Sequence, residues 1–140
     1  MGLNRFVEAQ DSGGAYAAAL TELRRGRKTS HWMWFVFPQV AGLGRSAMAQ
    51  RYAVSGLVEA RAYLRDPVLG QRLRECCEVL LGLPGSDPVA VFGGIDAVKL
   101  RSSMTLFAHA AEVDLDRQLF VDVLDRYFDG DEDPATLERL

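Results

Sequence analysis

Cysteine is nearly absent: the 140 residues hold two, and these are neighbours, Cys76 and Cys77. Adjacent side chains on a helix diverge by roughly 100°, so the pair makes no easy disulfide, and a chain without a disulfide framework fits a reducing compartment, the cytoplasm. Histidine is as scarce, with only His31 and His109. With no Cys-x-x-Cys spacing either, no metal site is expected, and no cofactor is called for. No apolar run approaches the ~18 residues of a membrane span, and no charged-then-apolar leader opens the chain, so neither insertion nor export is expected. An excess of one charge is missing too. The 16 basic and 19 acidic residues are scattered and leave a net charge of −3, which argues against a nucleic-acid polymer as partner. The cluster Arg24-Arg25-Gly26-Arg27-Lys28 is the exception. It falls at the end of a predicted helix, where cations favour the dipole, and reads as a solvated cap.

What the chain has in concentration is aromatic surface. Ser30-His31-Trp32-Met33-Trp34-Phe35-Val36-Phe37-Pro38-Gln39 holds both tryptophans and two of the seven phenylalanines. Such side chains bury roughly 150–250 Å² each, so the segment must be core, pocket wall or interface. Its continuous apolar run fits a buried strand or a buried helix by periodicity alone. Ser30 as an N-cap, a single β-branched residue and the stop at Pro38 favour a short helix.

The remaining elements read as helices. A short one spans 4–10. A second carries the stripe Ala15, Tyr16, Ala19, Leu20 and Leu23 and stops at Gly26. Ser46 caps a third, with Met48 and Tyr52 facing inwards, and Gly56 separates it from one carrying Leu57, Ala60 and Leu64. Asp66-Pro67 opens the clearest of them, because Leu69, Leu73, Cys76, Cys77, Leu80 and Leu81 form an uninterrupted stripe. Helices over 95–111 and 116–128 follow. The prediction is an all-α fold, a compact bundle of six to eight helices making one domain over 1–130, with a loosely held acidic tail at 131–140 that Asp133-Pro134 could cap into a final turn.

Three features carry candidate chemistry. On the helix over 95–111, Asp96, Lys99 and Ser103 fall close to one line, and buried lysines and carboxylates need partners. They either satisfy one another or look into a cavity where Lys99 holds an anion and Ser103 donates a hydrogen bond. The turn Gly42-Leu43-Gly44-Arg45-Ser46 offers amides, a cation and a hydroxyl to an anion at a helix start, without the full spacing of a phosphate loop. His31 lies on the aromatic element, where a lone histidine is more often a satisfied core residue than a base. Both cysteines lie on an apolar stripe and read as core.

The whole chain resembles a bacterial and fungal family known as domain of unknown function 1810, some members of which carry a calpastatin label. Phe6-Val7-Glu8-Ala9-Gln10, Gly26-Arg27-Lys28 with the aromatic stretch, Gly42-Leu43-Gly44 with Ser46, Tyr63-Leu64, Pro67 to Leu73, Phe92-Gly93 and Lys99 to Phe107 carry the likeness. It implies a compact, mainly helical domain and supplies no activity or catalytic residues. The calpastatin label implies little, because that inhibitor is disordered and polar whereas this chain is 49% hydrophobic.

Two functions compete. In the first, a pocket between 30–39 and the helix over 95–111 binds a small anionic metabolite of the nucleotide or ADP-ribose kind. Trp34 or Phe37 would stack its flat group, Lys99 and Arg45 would hold its charge, and Gln39, Gly44, Ser46 and Ser103 would complete the site; His31 or Asp96 would serve as acid or base if the ligand is hydrolysed. In the second, the aromatic segment is a protein-interaction or homodimer surface. An enclosed cavity favours the first, and an exposed patch of Trp32 or Trp34 the second.

Overall fold

The computed structural model describes residues 2–140. Helices α1 (Asn4–Asp11), α2 (Ala15–Arg24), α5 (Leu57–Arg65), α6 (Leu69–Gly82), α7 (Pro88–Ala110) and α8 (Asp114–Phe128) make the bundle, and α3 (Met33–Val36), α4 (Ala47–Arg51) and α9 (Pro134–Leu137) are short. Among the described residues the one β-type pairing is an isolated parallel bridge, Val40 to Val54. The all-α expectation therefore holds.

Helix α7 is the axis of the molecule. Residues 102–108 are buried without interruption, which a helix tolerates only when neighbours cover it on all sides, and α5, α8 and α9 pack against it. The stripe on α6 is buried over Leu69, Leu73, Cys76, Cys77 and Leu80, while Leu81 at its end is only half-buried, and this helix packs on α2, α5 and α8. Burial pushes both thiols up, Cys76 to about 12. Neither supplies a thiolate nucleophile.

Residues 131–140 depart from the loosely held tail predicted for them. The Asp133 carboxylate caps α9, accepting from the Thr136 amide and hydroxyl at 3.2 and 2.6 Å, and it also accepts from the Ser102 hydroxyl at 2.8 Å. Arg101 donates to the carbonyls of Asp131 and Glu132 at 2.9 and 2.7 Å, and Thr136 is fully buried. The hydroxyls of the central helix, together with Arg101, are what tie the acidic segment down, and charge composition alone does not reveal them.

Local chemistry also differs at the aromatic segment. It is helical only over Met33–Val36, and its N-cap position is Trp32 with no side-chain cap. Ser30 does not cap it; its hydroxyl donates to Glu22 at 2.5 Å. Trp32, Met33, Phe35, Val36 and Phe37 enter the core, which leaves Trp34 half-buried at its edge.

Candidate functional site

Glu22, on the last turn of α2, builds the first wall of the site. Its carboxylate accepts from the amides of Thr29 and Ser30 at 2.7 and 2.8 Å, from the Ser30 hydroxyl and from the Trp32 indole N–H at 3.0 Å. Burial opposes the charge, yet these donors outweigh it and hold the carboxyl at about 2. One side chain thereby fixes the whole turn from Thr29 to Trp32. Gly26, at φ 73°, makes the left-handed reversal that brings the chain back from α2 to this turn.

Lys28 is the residue that reading the sequence missed. Its backbone amide donates to the Val91 carbonyl at 2.7 Å, and its ammonium donates to the Ser30 carbonyl at 2.5 Å and meets the Asp96 carboxylate at 2.8 Å. The same ammonium stands 5.0 Å from the centre of the Trp32 ring. Far from being a solvated helix cap, its side chain is 8% exposed. The break in α7 at Gly93 accompanies this contact, since φ 79° and ψ 165° suit glycine only. Lys99, one turn further along α7, completes a charge chain. Its ammonium lies 3.6 Å from the other oxygen of Asp96 and 5.0 Å from the centre of the Trp34 ring.

Lys28 and Asp96 border a cleft of about 320 Å³ lined also by His31, Trp34, Gly93 and Gly94 among others, and Lys99 reaches it only through its contacts with Asp96 and Trp34. His31 is exposed there. A second cleft of about 250 Å³ is lined by Trp34, Gln39, Gly44, Gln50 and Tyr52 with neighbouring backbone. Trp34 is common to both. The expectation of one polar cleft shared by His31, Lys99 and the glycine turn is corrected accordingly: His31 and Gly44 border different clefts that have Trp34 in common, and Lys99 lines neither.

The other predicted residues sort by burial. Phe37 is fully buried against Trp32 and Phe92, at ring separations of 6.3 and 6.0 Å, and offers a ligand no face. Ser103 is fully buried with its hydroxyl unpartnered, so it is a core residue and not a donor to a bound anion. Ser46 caps α4 by accepting from the Ala49 amide at 3.1 Å. Arg45 is exposed and lines neither cleft, while its carbonyl accepts from the Gln50 carboxamide at 2.9 Å. Gly44 has no space for a side chain, because a Cβ there would stand 2.5 Å from that of Ala49. Trp34, Gln39, His31 and Asp96 do reach cleft surfaces, and Lys99 lines neither cleft but contacts the Trp34 ring and Asp96.

Among the described residues no helix is long and apolar enough to cross a membrane, and no group of three or more His, Cys, Asp or Glu side chains is placed to hold a metal ion. Among curated proteins, none matches the chain. The crystal structure of the conserved hypothetical protein Rv1873 from Mycobacterium tuberculosis is similar at a TM-score of 0.92 and 48% identity, over 99% of this chain and 95% of that one. The family model described as protein of unknown function (DUF1810) matches residues 1–140. A match over the whole length places the chain in the DUF1810 family.

Proposed function

We propose that the chain binds a small anionic metabolite of the nucleotide or ADP-ribose kind, its charged end near Lys28, Lys99 and His31 and its flat group against Trp34. One observation carries this reading: two ammonium groups share a single carboxylate, Asp96, at the edge of a cleft of about 320 Å³. Lys28 and Lys99 against Asp96 leave one positive charge, in a chain whose net charge is −3. Low-dielectric aromatic walls strengthen its pull on an anion, and the volume sits at the lower end of the roughly 300–1,000 Å³ typical of ligand pockets. Binding is favoured over hydrolysis because Asp96 is committed to both lysines, and nothing orients His31 as a base. The alternative of an interface made by the aromatic segment has less support: Trp32 is 1% exposed, and Trp34 lies half-buried beneath Lys99.

Lys99→Met tests this reading. The methionine keeps the apolar stem, and the lost ammonium contact with the indole is worth about 0.5–1 kcal/mol at an exposed site, so the variant should fold with a cost of that order. A ligand at 100 times its dissociation constant stabilises by roughly 2.7 kcal/mol. Thermal unfolding with adenosine monophosphate, ADP-ribose or ribose 5-phosphate should therefore show a rise in Tm for the parent and little or none for the variant. Equal stabilisation of both proteins would refute the role of Lys99, and no rise in the parent with any of the three would refute the reading.

A further inference from the structure

The second cleft differs in chemistry from the first. No charged side chain lines it; its polar side-chain groups are the carboxamides of Gln39 and Gln50 and the hydroxyl of Tyr52, and Trp34 supplies a wall. The backbone beneath is pinned, with the Ala41 amide donating to the Val54 carbonyl at 2.7 Å and the Val54 amide to the Gln39 carbonyl at 2.8 Å. Gln50 gives one of its two N–H hydrogens to the Arg45 carbonyl. The Gln39 carboxamide is half-buried and makes no hydrogen bond within the protein. A carboxamide on a fixed backbone, with both its donor and its acceptor open to solvent at the cleft wall, exchanges water for a ligand's matching acceptor and donor without breaking any contact of the protein.

Building on the anionic-ligand reading above, we propose that this cleft is the seat for the base of the same ligand, that the base is adenine, and that Gln39 is the residue that selects it. At about 250 Å³ the cleft is below the size that encloses a whole drug-like ligand, and so it suits a single ring system. Trp34 lines both clefts, and so joins a ring stacked in one to a charged group held in the other. Stacking is tolerant of which base is bound; the choice comes from the carboxamide. One donor beside one acceptor matches the N6 amino group and N7 of adenine, whereas the O6 and N7 acceptors of guanine call for two donors, as an arginine or lysine supplies. Neither residue lines this cleft. The ligand class is thus an adenine nucleotide, phosphate towards Lys28 and Lys99, base towards Gln39.

The test is calorimetric titration of the full chain and of Gln39→Leu with adenosine monophosphate, guanosine monophosphate and ribose 5-phosphate. The parent should bind adenosine monophosphate at least roughly tenfold more tightly than either of the others, the equivalent of one good bidentate contact. Gln39→Leu should lose the preference over guanosine monophosphate while binding ribose 5-phosphate as the parent does. Because the carboxamide supports nothing inside the fold, circular dichroism of the variant should match the parent. If ribose 5-phosphate binds the parent as tightly as adenosine monophosphate, or if the variant keeps the preference for adenine, this assignment is overturned while the anionic-ligand reading stands. If no phosphate-bearing probe binds the parent, both are overturned.

Discussion

Glu22→Gln is expected to lose about 3 kcal/mol of unfolding free energy at neutral pH, since the carboxyl is held from its usual 4.5 down to about 2 and each pKa unit is worth about 1.4 kcal/mol. The amide removes the charge and turns an N–H₂ towards donors that need an acceptor: the amides of Thr29 and Ser30, the Ser30 hydroxyl and the Trp32 indole. For a carboxyl whose pKa is depressed by folding, the stabilisation is fully present above the unfolded value and disappears as pH falls through the folded one. The difference in stability between parent and variant, from urea unfolding at a series of pH values, should be constant above about 5 and shrink between 4.5 and about 2. Ligand binding should fall with it, because the same turn carries Lys28 and His31. A difference under about 1 kcal/mol at pH 7, or one that does not change with acid, would show that Glu22 is not the organiser of this turn.

Leu73→Ala should cost about 2–5 kcal/mol, the range for deleting a leucine from a core that cannot collapse around the gap. Leu73 is 1% exposed on α6, a helix packed against α2, α5 and α8, so the hole would open between elements that already constrain one another. The site stands elsewhere. Its residues come from the turn after α2, from α3 and from the middle of α7, so a folded Leu73→Ala chain should bind the ligands of the parent with unchanged affinity. Chemical unfolding measures the first quantity and titration the second. A loss below about 1 kcal/mol would mean that the buried face of α6 is misassigned.

The contrast between these two positions explains what the sequence discloses. The stripe on α6 is periodic and each of its members acts by being apolar, so spacing alone identifies the buried face. Glu22 acts through one carboxylate that reaches seven to ten residues along the chain, and no periodicity encodes that. Ser30 has the chemistry of an N-cap, yet the stronger charged acceptor on α2 takes its hydroxyl. Lys28 looked like the end of a basic run because its partner, Asp96, is distant in sequence; only the left-handed turn at Gly26 and the break at Gly93 bring the two together. Lys99 and Asp96 were visible as an i, i+3 pair, and the polar line they begin enters the core at Ser103. Trp34 stood out by composition. That it alone of its element keeps an open edge follows from how one helical turn directs Met33, Phe35 and Val36 inwards.

Nuclear magnetic resonance of the full chain titrated with adenosine monophosphate reads out whether one anionic ligand spans the two clefts beside Trp34. Saturable shifts are expected at the Trp34 indole N–H and at the backbone amides of Lys28, His31, Gly93, Gly94 and Gln39, with the fully buried Trp32 indole, bound to Glu22, moving little. Shifts confined to other surfaces, such as the Arg24 and Arg25 side of the molecule, or no saturable shift at millimolar ligand, would contradict a ligand spanning both clefts.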